Sequence, residues 1–282
     1  LGAMASDSPF RLARVNRTNA NWRPKNVEAS EAIRDAYDLL NARTRDLAVN
    51  TPTGKRIAET LADLIVGAGI QSFAIPFNVD LETLMLDGDA LKPQILKDLQ
   101  YSLESDQFFE RWSKNADADG DNTWGELEKL ACYELVNSGN AILLECSLPV
   151  GGEREIPLCY QLIERDQLDT SKDRPSVPGQ NRIVNGIEFD SRNRKVAYHL
   201  FRAHPASSYD WGAANTSDRI PASRITHVYL RFRPTQRIGL PWTQEAAQAI
   251  RDGDWYLGSE LTCAALQSTL TFIHKKKHPH TT

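Results

Sequence analysis

The chain has 282 residues, 41% of them hydrophobic and 25% charged, enough apolar material for one large or two modest soluble domains with a sizeable core. Its 37 acidic against 33 basic residues leave a formal charge of −4, which argues against a protein that grips DNA by neutralising phosphates. No apolar run approaches the roughly 20 residues of a membrane helix, and Leu1 to Phe10 lack the basic start and apolar middle of a secretory signal, so no membrane partner and folding in the cytoplasm are expected. The four cysteines, Cys132, Cys146, Cys159 and Cys263, show no Cys-x-x-Cys spacing and sit among apolar neighbours, as buried free thiols do.

Residues 1–26 are polar and irregular, with Arg11, Arg14, Arg17 and Arg23 among Asn and Ser, and read as a flexible arm. From Val27 the pattern turns helical, with Ile33, Tyr37, Leu40 and Leu47 on one face. Thr51 then fits an N-cap and Pro52 the first position of a second helix, whose face Ile57, Leu61 and Ile65 runs to Gly67-Ala68-Gly69. These glycines end a helix and do not follow a strand, so a nucleotide loop is excluded; Gly54-Lys55 lacks the upstream glycine of a P-loop. Asp80 to Trp112 predicts one or two further helices, with Leu96, Leu99, Leu103, Phe108, Phe109 and Trp112 as core.

The sharpest local pattern follows. Asn115, Asp117, Asp119, Gly120, Asp121, Thr123 and Glu126 stand at positions one, three, five, six, seven, nine and twelve of a calcium-binding helix-loop-helix hand. Alternating oxygen donors, a glycine at the bend and a final bidentate glutamate suit a hard cation. Against this, position one is Asn115, position eight is Asn122 where an aliphatic residue is usual, and no second loop exists. The same residues also make an Asp-Gly turn followed by a Thr123-x-x-Glu126 capping box for the next helix.

That helix turns Leu127, Leu130, Ala131 and Leu135 inward, and Ala141 to Cys146 reads as a short buried strand. Thr170 to Gln180 is a surface loop, and Ile187 to Asp190 with Val196 to Leu200 is a hairpin whose Asn193 tolerates a left-handed turn. Ile220 to Phe232 is expected as one strand, buried on both faces or nearly so. Pro234, Gly239 and Pro241 turn the chain into a long helix with the stripe Trp242, Ala246, Ile250, Gly253, Leu257, Leu261 and Ala264. Glu245, Arg251, Asp252 and Glu260 fall off that stripe.

Ile220, Pro221, Ala222, Ile225, His227, Arg233, Pro234, Gln236, Arg237, Gly239, Pro241 and Trp242, followed by a long helix, resemble the portal proteins of tailed bacteriophages of the lambda type. Here Gln236-Arg237-Ile238-Gly239 stands where that family more usually has Gln-x-Arg-Gly. Arg43 to Pro52, Ile65 to Ile70, Gly139 to Ile142, Leu158 to Leu168 and Ile187 to Leu200 are similar to further family segments in the same order. The resemblance implies an α+β fold: a wing-like mixed domain over 27–182, a β-rich clip-like segment over 183–241, a stem or wing helix over 242–273 and a polar tail over 274–282. It also implies that the rest of the wing and any crown are missing from this sequence.

By the same resemblance the chain is a structural subunit of the virion with no cofactor and no chemistry of its own. Copies assemble, twelve of them, into a ring at one capsid vertex; a separate terminase drives double-stranded DNA through it without tight binding, and capsid, scaffold and head-completion or tail proteins dock on it. Arg237 and Trp242 at the junction, with Glu245, Arg251 and Glu260 on the wet face, are the expected channel or subunit contacts. The competing class is a calcium-dependent interaction module built on Asn115, Asp117, Asp119, Asp121, Thr123 and Glu126. A hydrolase using Asp210, His227 or Glu126 has no supporting spacing, since no nucleophile elbow or paired catalytic histidine motif is present.

Overall fold

A computed structural model describes residues 26–70, 74, 93–152 and 154–269. The arm before Asn26, the start of the helical run expected from Asp80, the side chains of Leu96 and Leu99, and the lysine-rich tail lie outside the described residues.

Helix α1 (Ala29–Asn50) buries Ile33, Tyr37 and Leu47, as its apolar spacing requires. The same face also buries Ser30, Asn41 and Thr44, each of which spends its polar group on a distant partner. Ser30 donates to the Thr235 carbonyl at 2.6 Å, Thr44 to the Asn137 carbonyl at 2.6 Å, and Asn41 to the Asp166 carboxylate at 3.1 Å. Helix α2 (Pro52–Ile65) starts where expected: the Thr51 hydroxyl accepts from Gly54 N at 3.0 Å and donates to the Leu47 carbonyl at 2.8 Å. The face of α2 that becomes buried is not Ile57, Leu61 and Ile65 but Gly54, Ala58 and Ala62, and Ile65 stays 50% exposed. Small residues let the two helices approach closely; a Cβ at Gly54 would lie 2.4 Å from the Leu47 carbonyl oxygen.

Helix α3 (Pro93–Ser113) also differs from expectation, because Leu103 and Phe108 are 62% and 51% exposed. Phe109 and Trp112 are half-buried, and Trp112 packs on Trp124 with ring centroids 5.0 Å apart while its indole N–H donates to the Leu158 carbonyl at 2.9 Å. Helix α4 (Trp124–Asn137) buries Leu127, Cys132 and Val136, whereas Leu130 is exposed.

Two antiparallel sheets follow. The first, in the order β2-β1-β7, joins β1 (Ala141–Ser147), β2 (Leu158–Ile163) and β7 (Ile225–Val228), with Ile142 opposite Ile163 on one side and His227 on the other. The second, in the order β3-β4-β5-β6, contains β3 (Arg182–Val184), β4 (Ile187–Phe189), β5 (Lys195–Phe201) and β6 (Ser217–Pro221). The expected β4–β5 hairpin is present, its Asn193 at φ 62° and the Asp190 carboxylate accepting from the Arg192 and Arg194 amides at 2.8 Å. A second hairpin, β3–β4, turns on Asn185-Gly186, both at positive φ, which is the strongest short hairpin signal a sequence carries.

The single strand expected over Ile220 to Phe232 is in fact two. A 3-10 turn at Ala222–Arg224 breaks it, and its halves β6 and β7 enter different sheets as edge strands. Edge position explains why Thr226 and Val228 are exposed and why Pro221, which has no N–H to offer, is accepted there. Between β5 and β6, Trp211–Ala214 form a one-turn helix, α5. The last helix, α6 (Ala247–Thr269), begins five residues later than the expected Trp242, after successive turns over 241–246. Ile250 is its one buried residue among those described; Leu257 and Leu261 of the stripe, and Trp255 beside it, are 59%, 72% and 77% exposed.

One core serves both sheets and α1: Ile33, Tyr37, Ile142, Ile163, Leu168, Ile187, Phe189, Tyr198, Leu200 and Ile238 form a single buried cluster. It takes side chains from both sides of the 182/183 position. No helix among the described residues is long and apolar enough to cross a membrane.

Candidate functional site

The segment Tyr229 to Ala246, which carries most of the quoted motif, is held by a buried polar knot. Gly139 follows the end of α4 at φ +77°, a conformation that favours glycine, and its backbone meets that of Gly239 and Leu240. A Cβ on Gly139 would stand 2.2 Å from Leu240 C, and one on Gly239 1.9 Å from the Gly139 oxygen. Next to this crossing, the Asn140 amide is fully buried and fully used. Its oxygen accepts from Gly239 N at 2.7 Å and faces His227 Nε2 at 3.2 Å; its nitrogen donates to Ser138 O at 3.0 Å, Tyr37 Oη at 3.1 Å and Gly239 O at 3.3 Å. Tyr37 passes its own proton to the Ser138 carbonyl at 2.6 Å. Burial drives the phenol up to about 12, so it stays a donor.

Gln236 performs the same service for the bend before it. It is buried, donates to the Leu230 and Ile238 carbonyls at 3.1 and 2.9 Å, and accepts from Phe232 N at 2.8 Å. Trp242 N then donates to the Val136 carbonyl at 3.1 Å, which ties the end of the motif to α4. The motif residues therefore build a joint in which the end of α4, β1, β7 and the lead into α6 are fixed to α1.

His227 is a working part of this joint. With Nε2 turned to the Asn140 oxygen, Nε2 carries the proton and Nδ1 accepts, facing Tyr198 Oη at 3.3 Å and Lys195 Nζ at 3.4 Å. Burial first, then the charges of Lys195 and Arg165, hold its pKa well below the usual histidine value. The unfolded chain thus takes up a proton near pH 6.5 that the folded chain refuses, and stability falls as pH drops below that value, by up to about 1.4 kcal/mol per pH unit. Urea midpoints measured from pH 7 to pH 5 are expected to show this slope, and His227→Gln to flatten it.

The five residues expected as contacts divide into two groups. Arg237 and Trp242 are half-buried at the joint, Arg237 with its guanidinium carbon 4.7 Å from the Phe189 ring centroid. Glu245, Arg251 and Glu260 are exposed, the first in the turns leading into α6 and the others on it.

The acidic loop is a self-bonded turn. Asp117 is 2% exposed, and its carboxylate accepts from Asp119 N at 3.2 Å, Asn122 N at 3.1 Å and Asn122 Nδ2 at 2.8 Å. Arg154 clamps the Asn115 and Asp117 carbonyls at 2.7 and 2.8 Å. Thr123 and Glu126 form the reciprocal cap of α4, with Thr123 N and Oγ1 each donating to Glu126 Oε2 at 2.8 Å. The capping box accounts for the Thr123 and Glu126 side chains. Thr123→Ala is expected to cost about 1 kcal/mol of unfolding free energy by urea titration, and added calcium to leave that curve in place.

Among the described residues, the one trio of acidic, His or Cys side chains whose ligand atoms lie within 4.8 Å of one another is Glu164, Asp166 and His204. Arg45 already bridges its two carboxylates, with Nη2 3.0 Å from Glu164 and Nη1 2.5 Å from Asp166. This is an ion network that ties α1 to the turn after β2.

A family model described as "Phage portal protein, lambda family" matches residues 15–282. A "Probable portal protein" of Halomonas phage phiHAP-1 is 26% identical over 271 residues, covering 95% of this chain and 49% of that protein, so the chain spans about half the length of this relative. Among solved structures, the neck of an empty gene-transfer-agent (GTA) particle computed with C6 symmetry aligns at 14% identity and a TM-score of 0.45, over 82% of this chain and 46% of that one. The native particle's neck computed with C12 symmetry aligns at 15% identity and a TM-score of 0.40, over the same shares. With the family model matching nearly the whole length, the chain belongs to the lambda family of phage portal proteins.

Proposed function

We propose that this chain is a structural subunit of the head–tail connector of a tailed phage or prophage. Family membership over 15–282 carries this reading. The exposed apolar face of α6, with Leu257 and Leu261 largely uncovered, supports it, because a helix so little covered by its own chain is suited to contact with other subunits. Copies form a closed ring of twelve at a capsid vertex, in the virion, after assembly in the host cytoplasm. Double-stranded DNA passes through the ring without being held tightly, in keeping with the net charge of −4. Terminase, capsid, scaffold and head-completion proteins are its partners, and its role is architectural, with no catalysis.

Within that reading, residues 27–182 supply the wing, 183–241 the clip or its support, and α6 the stem or wing helix, the first two sharing one core. Glu245, Arg251 and Glu260 contact neighbouring subunits or the channel, while Arg237 and Trp242 set the angle at which α6 leaves the joint. Mass photometry of the purified chain tests the assembly. A discrete species near twelve times 31.6 kDa is expected, and a monomer at every concentration would overturn the reading for this chain.

A further inference from the structure

Four cations converge beside the joint without a carboxylate among them. The Phe189 ring carries two guanidinium groups, with Arg237 Cζ 4.7 Å and Arg182 Cζ 5.5 Å from its centroid. Lys195 Nζ lies 4.9 Å from the Tyr229 ring centroid and 5.6 Å from that of Tyr198. Arg231 enters from the bend after β7, where it donates to the Arg233 and Pro234 carbonyls. Burial and the charges of Arg237 and Arg231 bring Lys195 down to about 8, and burial with Arg182 and Arg231 lowers Arg237.

Several other basic side chains are paired. Arg45, Arg165, Arg202 and Arg219 each meet a carboxylate, but no ion pair of the described residues includes Arg182, Lys195, Arg231 or Arg237. The Nε atoms of Arg182 and Arg237 are buried without an acceptor. The acidic groups nearby are turned elsewhere: Glu188 to Arg219 and Asn181, Asp190 to its own turn amides and Arg194, and Asp173 to the Asn185 and Gly186 amides. Glu28 favours the charge on Arg237 from a distance, and Asn193 accepts from Arg182 Nη2 at 2.9 Å. Aromatic faces offset part of the repulsion between the half-buried Arg182, Lys195 and Arg237, while Arg231 is exposed. An oxyanion would offset far more, and guanidinium forks suit its geometry.

We propose that Arg182, Lys195, Arg231 and Arg237 form an oxyanion site that takes a phosphate or carboxylate group. Its two sources are a free ion and an acidic side chain of a second copy of this chain; the second source rests on the ring reading above. The test follows the arginine Nε–Hε resonances of the full chain during titration with sodium phosphate, with sodium chloride at matched ionic strength as control, at dilute and at concentrated protein.

Saturable movement of the Arg182 and Arg237 signals with phosphate alone is expected for a free-ion site, and Lys195→Gln is expected to weaken it roughly tenfold. Arg237→Gln, should it fold, is expected to do the same. Movement on concentrating the protein without phosphate identifies a neighbouring copy's carboxylate instead. Signals that follow ionic strength alone in both arms overturn the site. A chain that binds phosphate yet stays monomeric keeps the site and removes the ring reading, whereas a chain that assembles with these signals unmoved removes the site alone.

Discussion

Gly239→Ala is expected to be the most damaging single-methyl change in the described chain. The new Cβ would sit 1.9 Å from the Gly139 carbonyl oxygen and 2.9 Å from Tyr229 Cβ, and the first of these neighbours is backbone that cannot swing aside. Relief requires the 239–240 segment to lift away from the end of α4, which also lengthens the 2.7 Å bond from Gly239 N to Asn140. The combined loss of packing and of a buried hydrogen bond is expected to reach about 4 kcal/mol, read as a lowered urea midpoint or as insolubility. Gly258→Ala is the control: nothing lies within 4 Å of a Cβ placed there on α6, so the change should stabilise the helix by up to about 1 kcal/mol.

Asn140→Ala comes next. Removing the amide leaves Gly239 N and His227 Nε2 without acceptors and deprives Ser138 O and Gly239 O of a donor, all in a region closed to water. Stranded buried donors are costly, so a loss of about 3 kcal/mol or more is expected. Asn140→Asp keeps the acceptor and loses the donors, and is expected to fall between the alanine variant and the parent near pH 6, where the carboxylate can draw a proton onto His227. A double-mutant cycle between Asn140→Ala and Tyr37→Phe should give a coupling clearly different from zero, because the two side chains share the Ser138 carbonyl. Strict additivity would show that the network does not act as one unit.

How much of this was legible in the sequence depended on distance along the chain. Local devices could be read directly: the apolar stripe of α1, Thr51 and Pro52 at the start of α2, the β4–β5 hairpin at Asn193, and Thr123 with Glu126 as a cap. The Asn185-Gly186 turn was equally local and carried its own signal. Ile220 to Phe232 was harder, since alternating β-branched and aromatic residues fit one long strand as well as two short ones. Pro221-Ala222-Ser223-Arg224 marked the break.

The polar partners of α1, the crossing of Gly139 with Gly239, and the meeting of Arg182, Lys195, Arg231 and Arg237 join residues far apart in the chain. Periodicity contains no term for such pairs. The family motif showed which residues belong together, and the structure shows why: Gln236, Gly239 and His227 hold the backbone, whereas Leu257 and Leu261 of the apolar stripe are exposed.

The span of those pairs also bears on how the protein comes to be made. Ser30 waits for Thr235, 205 positions downstream, Tyr37 for Ser138, 101 downstream, and Asn140 for Gly239, 99 downstream. During synthesis α1 precedes all of these partners and meets the last of them, Thr235, only after that residue has been made. Thr44, Tyr37 and Asn41 can meet Asn137, Ser138 and Asp166 earlier, so the polar face of α1 is satisfied in stages and the Ser30 bond closes last.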